Sequence, residues 1–401
     1  VSDIRIDPDR LLADLDTLRT FGQCETGVVR PAYSDAELAA RKWLAGRMTE
    51  AGLEVAVDPI GNLFGLPDTD RPCLLVGSHS DSQPEGGWLD GAYGVIAGLE
   101  VARASKESGG PPVAVVSFQD EEGRFNTLAG SSVWAGQMSV AEARTLTDDT
   151  GLSLGEACRQ PEGFPAPAEV SPERFRAFLE IHIEQGPVLD TSGEKIGVVE
   201  NIVGIRSERL RFTGQQNHAG TTPMHLRRDA VQGFVRYAER LNARFAEVVT
   251  PATVWTIGHV AVHPNASSIV PGRIDFTVQW RDAELKRLDA MTEIVRRTGE
   301  EVAAEMGLEL ERSGYATIPP SACDPGLLDI LAEAAEATAP GLWRRMPSGA
   351  LHDAANAAQR MPMAMLFVPS KGGISHSFEE DTDRADLVLG AQALAHAAAR
   401  V

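Results

Sequence analysis

The chain has 401 residues, which at roughly 100–200 residues per domain suits two or three domains. Hydrophobic residues make up 43% and charged ones 23%, the balance of an ordinary globular protein, which excludes a disordered or fibrous one. The 57 acidic side chains outnumber the 37 basic ones and leave a formal charge of -20, which repels phosphate backbones and anionic lipid, so neither nucleic acid nor a membrane surface is an expected partner.

The opening Val1 to Asp16 alternates charge with Leu and Ile and lacks a signal peptide's apolar stretch. No apolar run reaches the roughly 18 residues of a membrane span. Cys24, Cys73, Cys158 and Cys323 stand far apart with no CxxC pair, so a reduced, cytoplasmic protein is expected. Ser34-Asp35-Ala36-Glu37 reads as a capping box opening a helix that ends at Gly52. Leu53, Val55 and Val57 alternate, and a turn follows at Gly61-Asn62. Leu74 to Val76 and Val113 to Val116 are short continuous apolar runs, the pattern of strands buried on both faces, with a helix over Gly94 to Ala104 between them. Strands separated by helices predict an α/β layer with a mixed, largely parallel sheet.

From Ser207 the pattern changes. Strands over Ser207 to Thr213, Ala252 to Val262, Arg273 to Trp280 and Leu308 to Arg312 alternate with helices over Arg227 to Glu247 and Leu285 to Met306. That βαββαβ order is ferredoxin-like. Afterwards the α/β character resumes, with a helix near Leu327 to Ala337, a strand at Ala364 to Val368 and a helix over Asp383 to Arg400. The expected organisation is an α/β domain in two segments, 1–206 and 322–401, interrupted by an inserted domain at 207–321. The insert's sheet leaves one face and an edge for pairing, so it is expected to mediate a homodimer.

Four strand ends carry metal-binding chemistry. The first is Gly77-Ser78-His79-Ser80-Asp81, with Asp90-Gly91 soon after. Asp81 can take the other ring N–H of His79 and fix its tautomer, as supports of metal-bound imidazoles do; taken alone, the pair also reads as a loop hydrogen bond. The second end, Asp120-Glu121-Glu122-Gly123, crowds three carboxylates that repel one another unless a cation neutralises them, although a solvated acidic turn has the same letters. Ile181-His182-Ile183-Glu184-Gln185-Gly186 and Gly372-Gly373-Ile374-Ser375-His376-Ser377 supply the other two. Three imidazoles with one or two carboxylates suit Zn²⁺ or a neighbouring first-row ion, and a bridging carboxylate such as Asp90 would hold two ions close together.

These stretches, with Leu89-Asp90-Gly91-Ala92 and Asn217-His218-Ala219-Gly220-Thr221-Thr222-Pro223-Met224, resemble the M20 metallopeptidase superfamily, and within it the group of N-carbamoyl-L-amino-acid hydrolases, β-ureidopropionases and allantoate amidohydrolases. The resemblance spans Phe21 to Glu380. It implies His79, Asp90, Glu122, His182 and His376 as ligands of two divalent ions, Zn²⁺ first, with Mn²⁺, Co²⁺ or Ni²⁺ also suited. Asp90 would bridge, Glu121 would be the general base and Asp81 would orient His79. It also implies Arg281 as the holder of a substrate carboxylate, Gln185 as a substrate contact and His218 as a residue reaching the site from a partner subunit. Read without the resemblance, Arg281 is a surface salt bridge and His218 a turn residue. Two positions depart from the family: Ser268 stands where an Asn that touches substrate is usual, and Leu351 where Gly is common. His352 with Asp353 could support the centre from behind, whereas His225, His259, His263 and His396 lack ligand partners at suggestive spacing. The implied activity is hydrolysis of a C–N bond in a linear ureido or amide compound, first an N-carbamoyl-L-amino acid. Allantoate and N-acyl amino acids or peptides are the alternative substrates, and a non-catalytic binding protein is the alternative class.

Overall fold

The computed structural model describes residues 4–159 and 163–401, so Val1 to Asp3 of the first segment lie outside the described residues. The chain divides into two compact units, Val1–Glu200 with Ala322–Val401, and Asn201–Ser321.

The first unit is built on one mixed sheet. Met363–Val368, Phe175–Ile183, Cys73–His79 and Val113–Phe118 lie side by side in that order, all parallel. Every residue of Cys73–His79, Val113–Phe118 and Met363–Val368 is buried, as their unbroken apolar runs require of strands covered on both faces. Antiparallel strands flank this core: Leu63–Leu66 and Glu54–Val57 beyond Val113–Phe118, and Ile196–Ile202 beyond Met363–Val368. The helix Ala92–Glu107 packs on Cys73–His79 and is buried over nearly its whole length. Parallel strands put all their carboxyl ends on one edge, where open α/β sheets collect functional groups.

The capping box at Ser34 forms only in half. Ser34 Oγ accepts the N–H of Glu37, but the Glu37 side chain turns inward to Arg41 at 3.4 Å and to the main-chain N–H of Tyr33. A buried guanidinium offers that carboxylate more than the exposed N–H of a helix end. The sequence reading also leaves out the helix Pro8–Thr20, the strand Trp343–Ser348 and the short helix Asp353–Ala357.

The second unit is a four-stranded antiparallel sheet in the order Val254–His263, Arg273–Asp282, Gly204–Thr213, Glu309–Ile318. The helices Ala230–Phe245 and Leu285–Met306 cover one face, and Phe212, Phe276, Trp280, Tyr237, Phe245 and Met291 fill the space between. Val254–His263 is an edge strand, with Val254 and Val260 exposed. Among the described residues no helix is long and apolar enough to cross a membrane.

Candidate metal centre

Each strand of the parallel core delivers one part of the cluster. His79 is the last residue of its strand, and Asp90 stands just before the helix Ala92–Glu107. Gly91, directly after Asp90, has φ +62, and a Cβ there would lie 2.3 Å from the His79 ring, so only glycine serves. Asp120, Glu121 and Glu122 follow Val113–Phe118, His182 is the penultimate residue of Phe175–Ile183, and His376 lies in the loop after Met363–Val368.

The two oxygens of Asp90 face different imidazoles. Oδ1 is 3.1 Å from His182 Nε2 and 3.6 Å from His79 Nε2. Oδ2 is 3.2 Å from His376 Nε2, which in turn is 3.7 Å from Glu122 Oε2. Two donor groups therefore share Asp90: His79 and His182 on one side, Glu122 and His376 on the other. Ligand atoms around a tetrahedral Zn²⁺ at about 2.0–2.1 Å are themselves about 3.3–3.4 Å apart. The separations of 3.1 to 3.7 Å around Asp90 fit that spacing, so the residues present suit two divalent ions.

Tautomers are set from behind. His182 Nδ1 lies 2.9 Å from the carbonyl of Ile183, and His79 Nδ1 lies 3.1 Å from the carbonyl of Asp81. Both rings thus donate from Nδ1 and leave Nε2 as the unprotonated nitrogen on the Asp90 side, where His182 Nε2 accepts the N–H of Gly91 at 3.0 Å. The Asp81 carboxylate is slightly farther from His79, at 3.4 Å, and also accepts the main-chain N–H groups of Glu121 and Glu122.

The three adjacent acids separate by backbone geometry. Asp120, at φ +54, folds back to accept the N–H groups of Phe125 and Asn126, and burial pushes its carboxyl up to about 8. Glu121 points to His79, 3.6 Å from Nε2, and Glu122 points to His376. Burial also raises both glutamates, Glu121 strongly and Glu122 to about 7, with the Asp90 carboxylate adding to the rise at Glu122. Carboxylates this crowded ionise readily only beside a cation.

Two contributors, Gln83 and Glu180, escape a sequence reading. Gln83 Nε2 donates to Glu122 Oε2 at 2.7 Å, and Glu180 accepts from Ser78 Oγ and the N–H of Ala354 beneath the site. His352 is buried edge-on against His182, with ring centroids 4.7 Å apart, and Asp353 is buried beside it in sequence. Gln185 reaches the cluster, with Nε2 2.9 Å from Asp90 Oδ2, and Leu351 is half-buried.

The remaining predicted residues belong to the second unit. His218 Nδ1 accepts the N–H groups of Gly220 and Thr221, which places the ring proton on Nε2. His218 pairs with Ile269, and the Ser268 carbonyl accepts the N–H of Ala219, so His218 and Ser268 stand together. Arg281 lies near the far end of Arg273–Asp282, with Nε and Nη2 both donating to Gln279 Oε1. His225, His259 and His263 are exposed, and His396 contacts Thr338 Oγ1.

A family model for peptidase family M20/M25/M40 matches residues 75–400. The chain belongs to that family. Within M20 it is 36% identical to an N-carbamoyl-L-amino-acid amidohydrolase of Paenarthrobacter aurescens, over 96% of this chain and 95% of the relative. It is also 36% identical to the allantoate amidohydrolase of Escherichia coli (strain K12), over 95% of each chain. A solved amidase of the hydantoinase/carbamoylase family from Burkholderia phymatum superposes with a TM-score of 0.93 at 45% identity, covering 100% of this chain and 98% of that one. The mixed α/β architecture is therefore that of M20 proteins.

Proposed function

We propose that this chain is a two-metal amidohydrolase acting on a linear ureido compound, first an N-carbamoyl-L-amino acid. The division of Asp90 between the His79–His182 pair and the Glu122–His376 pair carries the proposal, because a carboxylate with each oxygen aimed at a separate donor group is built to bridge. Two divalent ions, Zn²⁺ or alternatively Mn²⁺, Co²⁺ or Ni²⁺, would polarise the scissile carbonyl and make water more acidic. Glu121, close to the cluster and, among the described residues, without a helix cap or an ion pair with Arg or Lys, takes the proton of the attacking water and returns it to the leaving nitrogen. Water adds to the carbamoyl carbon and the C–N bond breaks, releasing the amino acid and a carbamate that decays to ammonia and carbon dioxide. A non-catalytic binder would have no use for that base.

His218 offers an Nε2–H to the substrate oxygen, and Arg281 holds the substrate carboxylate, with Gln185 and Ser268 as further polar contacts. His218 and Ser268 stand beyond the start of Arg273–Asp282 and Arg281 near its end, eight residues or about 27 Å apart along an extended strand. One small substrate meets both only if one of them comes from a second copy. This supports a homodimer formed through the 207–321 domain as a lid, with the exposed edge Val254–His263 available for pairing. Four free cysteines suit a cytoplasmic setting.

Allantoate is the second candidate, because the E. coli allantoate amidohydrolase is as similar as the P. aurescens enzyme and because Ser268 is shorter than the family's Asn. A panel assay for ammonia and amine release from N-carbamoyl-L-amino acids, allantoate and N-acyl amino acids separates them. Turnover of the carbamoyl compounds with the highest kcat/KM is expected, and highest turnover of allantoate would reassign the substrate.

A further inference from the structure

Glu380 has no place in the chemistry above, yet it is only 1% exposed and lies against the residue that divides the cluster. Its Oε1 accepts the main-chain N–H groups of Leu89 at 3.1 Å and Asp90 at 3.0 Å. Its Oε2 accepts the hydroxyl of Ser375 at 2.7 Å, next to His376. The Ser375 hydroxyl accepts Gln185 Nε2 at 3.1 Å, and that same nitrogen is 2.9 Å from Asp90 Oδ2. A second observation concerns Gly87, where an added Cβ would lie 1.9 Å from the Glu380 carboxyl carbon. Chain segments 290 residues apart thus close around one buried carboxylate, with a position left bare of side chain to admit it.

We propose that Glu380 is a positioning residue that sets the distance between Asp90 and His376, and so the affinity for the ion shared by Asp90, Glu122 and His376. This rests on the two-ion reading of the cluster. Asp90 reaches the site from the turn after Cys73–His79, and His376 from a loop after Met363–Val368 in which it holds a left-handed φ of +52. Neither backbone is a regular element at that point, so something must tie the two together. A carboxylate suits the task because it accepts from several donors at once on two oxygens. The His79–His182 side keeps two ligands set by strand positions that Glu380 does not touch through the bonds above, whereas Asp90 and the His376 loop are both tied to it, so the larger effect falls on the ion held with His376.

The test uses the full chain loaded with Co²⁺, followed by metal content, visible absorption and competition with a chelator, beside a thermal melt. Glu380→Ala is expected to weaken one of two Co²⁺ ions by about 10–100-fold, the usual cost of losing a group that supports a ligand, and to leave the other in place. Glu380→Gln keeps an oxygen for the two N–H groups and is expected to restore most of that affinity. Gly87→Ala, which displaces the carboxyl while retaining Glu380, should reproduce the selective loss and serves if Glu380→Ala does not fold. Both Co²⁺ ions held by Glu380→Ala or Gly87→Ala with wild-type affinity and spectrum would overturn the proposal, as would equal weakening of both ions. A wild-type chain that takes up no Co²⁺ would instead defeat the two-ion reading beneath it.

Discussion

The Asp81 carboxylate accepts the main-chain N–H of Glu122 at 3.2 Å while its other oxygen stands 3.4 Å from His79 Nδ1. One side chain thus holds an imidazole from behind and also pins the loop that presents the acids. Asp81→Ala should therefore disturb both donor groups of the cluster. A 10–100-fold loss of metal affinity is expected, measured by chelator competition, together with a fall in kcat. Asp81→Asn, which keeps an oxygen for one N–H, should lose less. Equal metal affinity in wild type and Asp81→Ala would show that the carbonyl of Asp81 orients His79 unaided.

Glu121 and Glu122 are neighbours in sequence with opposite assignments. Glu121→Gln should keep its metal, because Glu121 is assigned to proton transfer, and should lose about 10²–10⁴ in kcat. Glu122→Gln should lose metal from the side that holds His376. Elemental analysis of the two variants checks this, and the reverse pattern would exchange the two roles.

The placement of these acids also shows how far the letters reach. The buried parallel strands were legible because unbroken apolar runs suit sheets covered on both faces, and the four His- and acid-bearing strand ends were legible as candidate ligands. Asp120, Glu121 and Glu122 share one chemistry, however, and only the positive φ at Asp120 turns it into the loop while its neighbours face the cluster. Glu380 was invisible because its partners at Leu89 and Asp90 are brought to it by the fold alone. The helix Pro8–Thr20 did carry a signal: Asp7 caps it and Pro8 opens it, but its apolar face is narrow.

Arg281 and Ser268 test substrate recognition apart from metal chemistry. Arg281→Lys should raise KM for carbamoyl amino acids, because an ammonium cannot reproduce the planar two-bond fork. The penalty should vanish for an amidated analogue, which has no carboxylate to hold. Ser268→Asn should improve turnover of carbamoyl amino acids by restoring an amide donor. Abolished activity in Ser268→Asn would point to a bulkier or less charged natural substrate.

A shared site predicts complementation. Chains carrying Glu121→Gln and chains carrying His218→Ala should each be nearly inactive. After dissociation and mixing, half the dimers are mixed, and each mixed dimer holds one intact site, so about a quarter of wild-type activity should return. No recovery, or a chain that sediments only as monomer at micromolar concentration, would place His218 in its own chain's site or outside catalysis.

Asp90 is proposed to join two ions into one hydrolytic centre, and metal stoichiometry is the direct test. Elemental analysis of the purified chain, reconstituted with Zn²⁺ and dialysed, should find two ions per chain in wild type. Asp90→Ala, which removes both bridging oxygens, should retain neither tightly. One ion in wild type, or two in Asp90→Ala, would contradict the bridge.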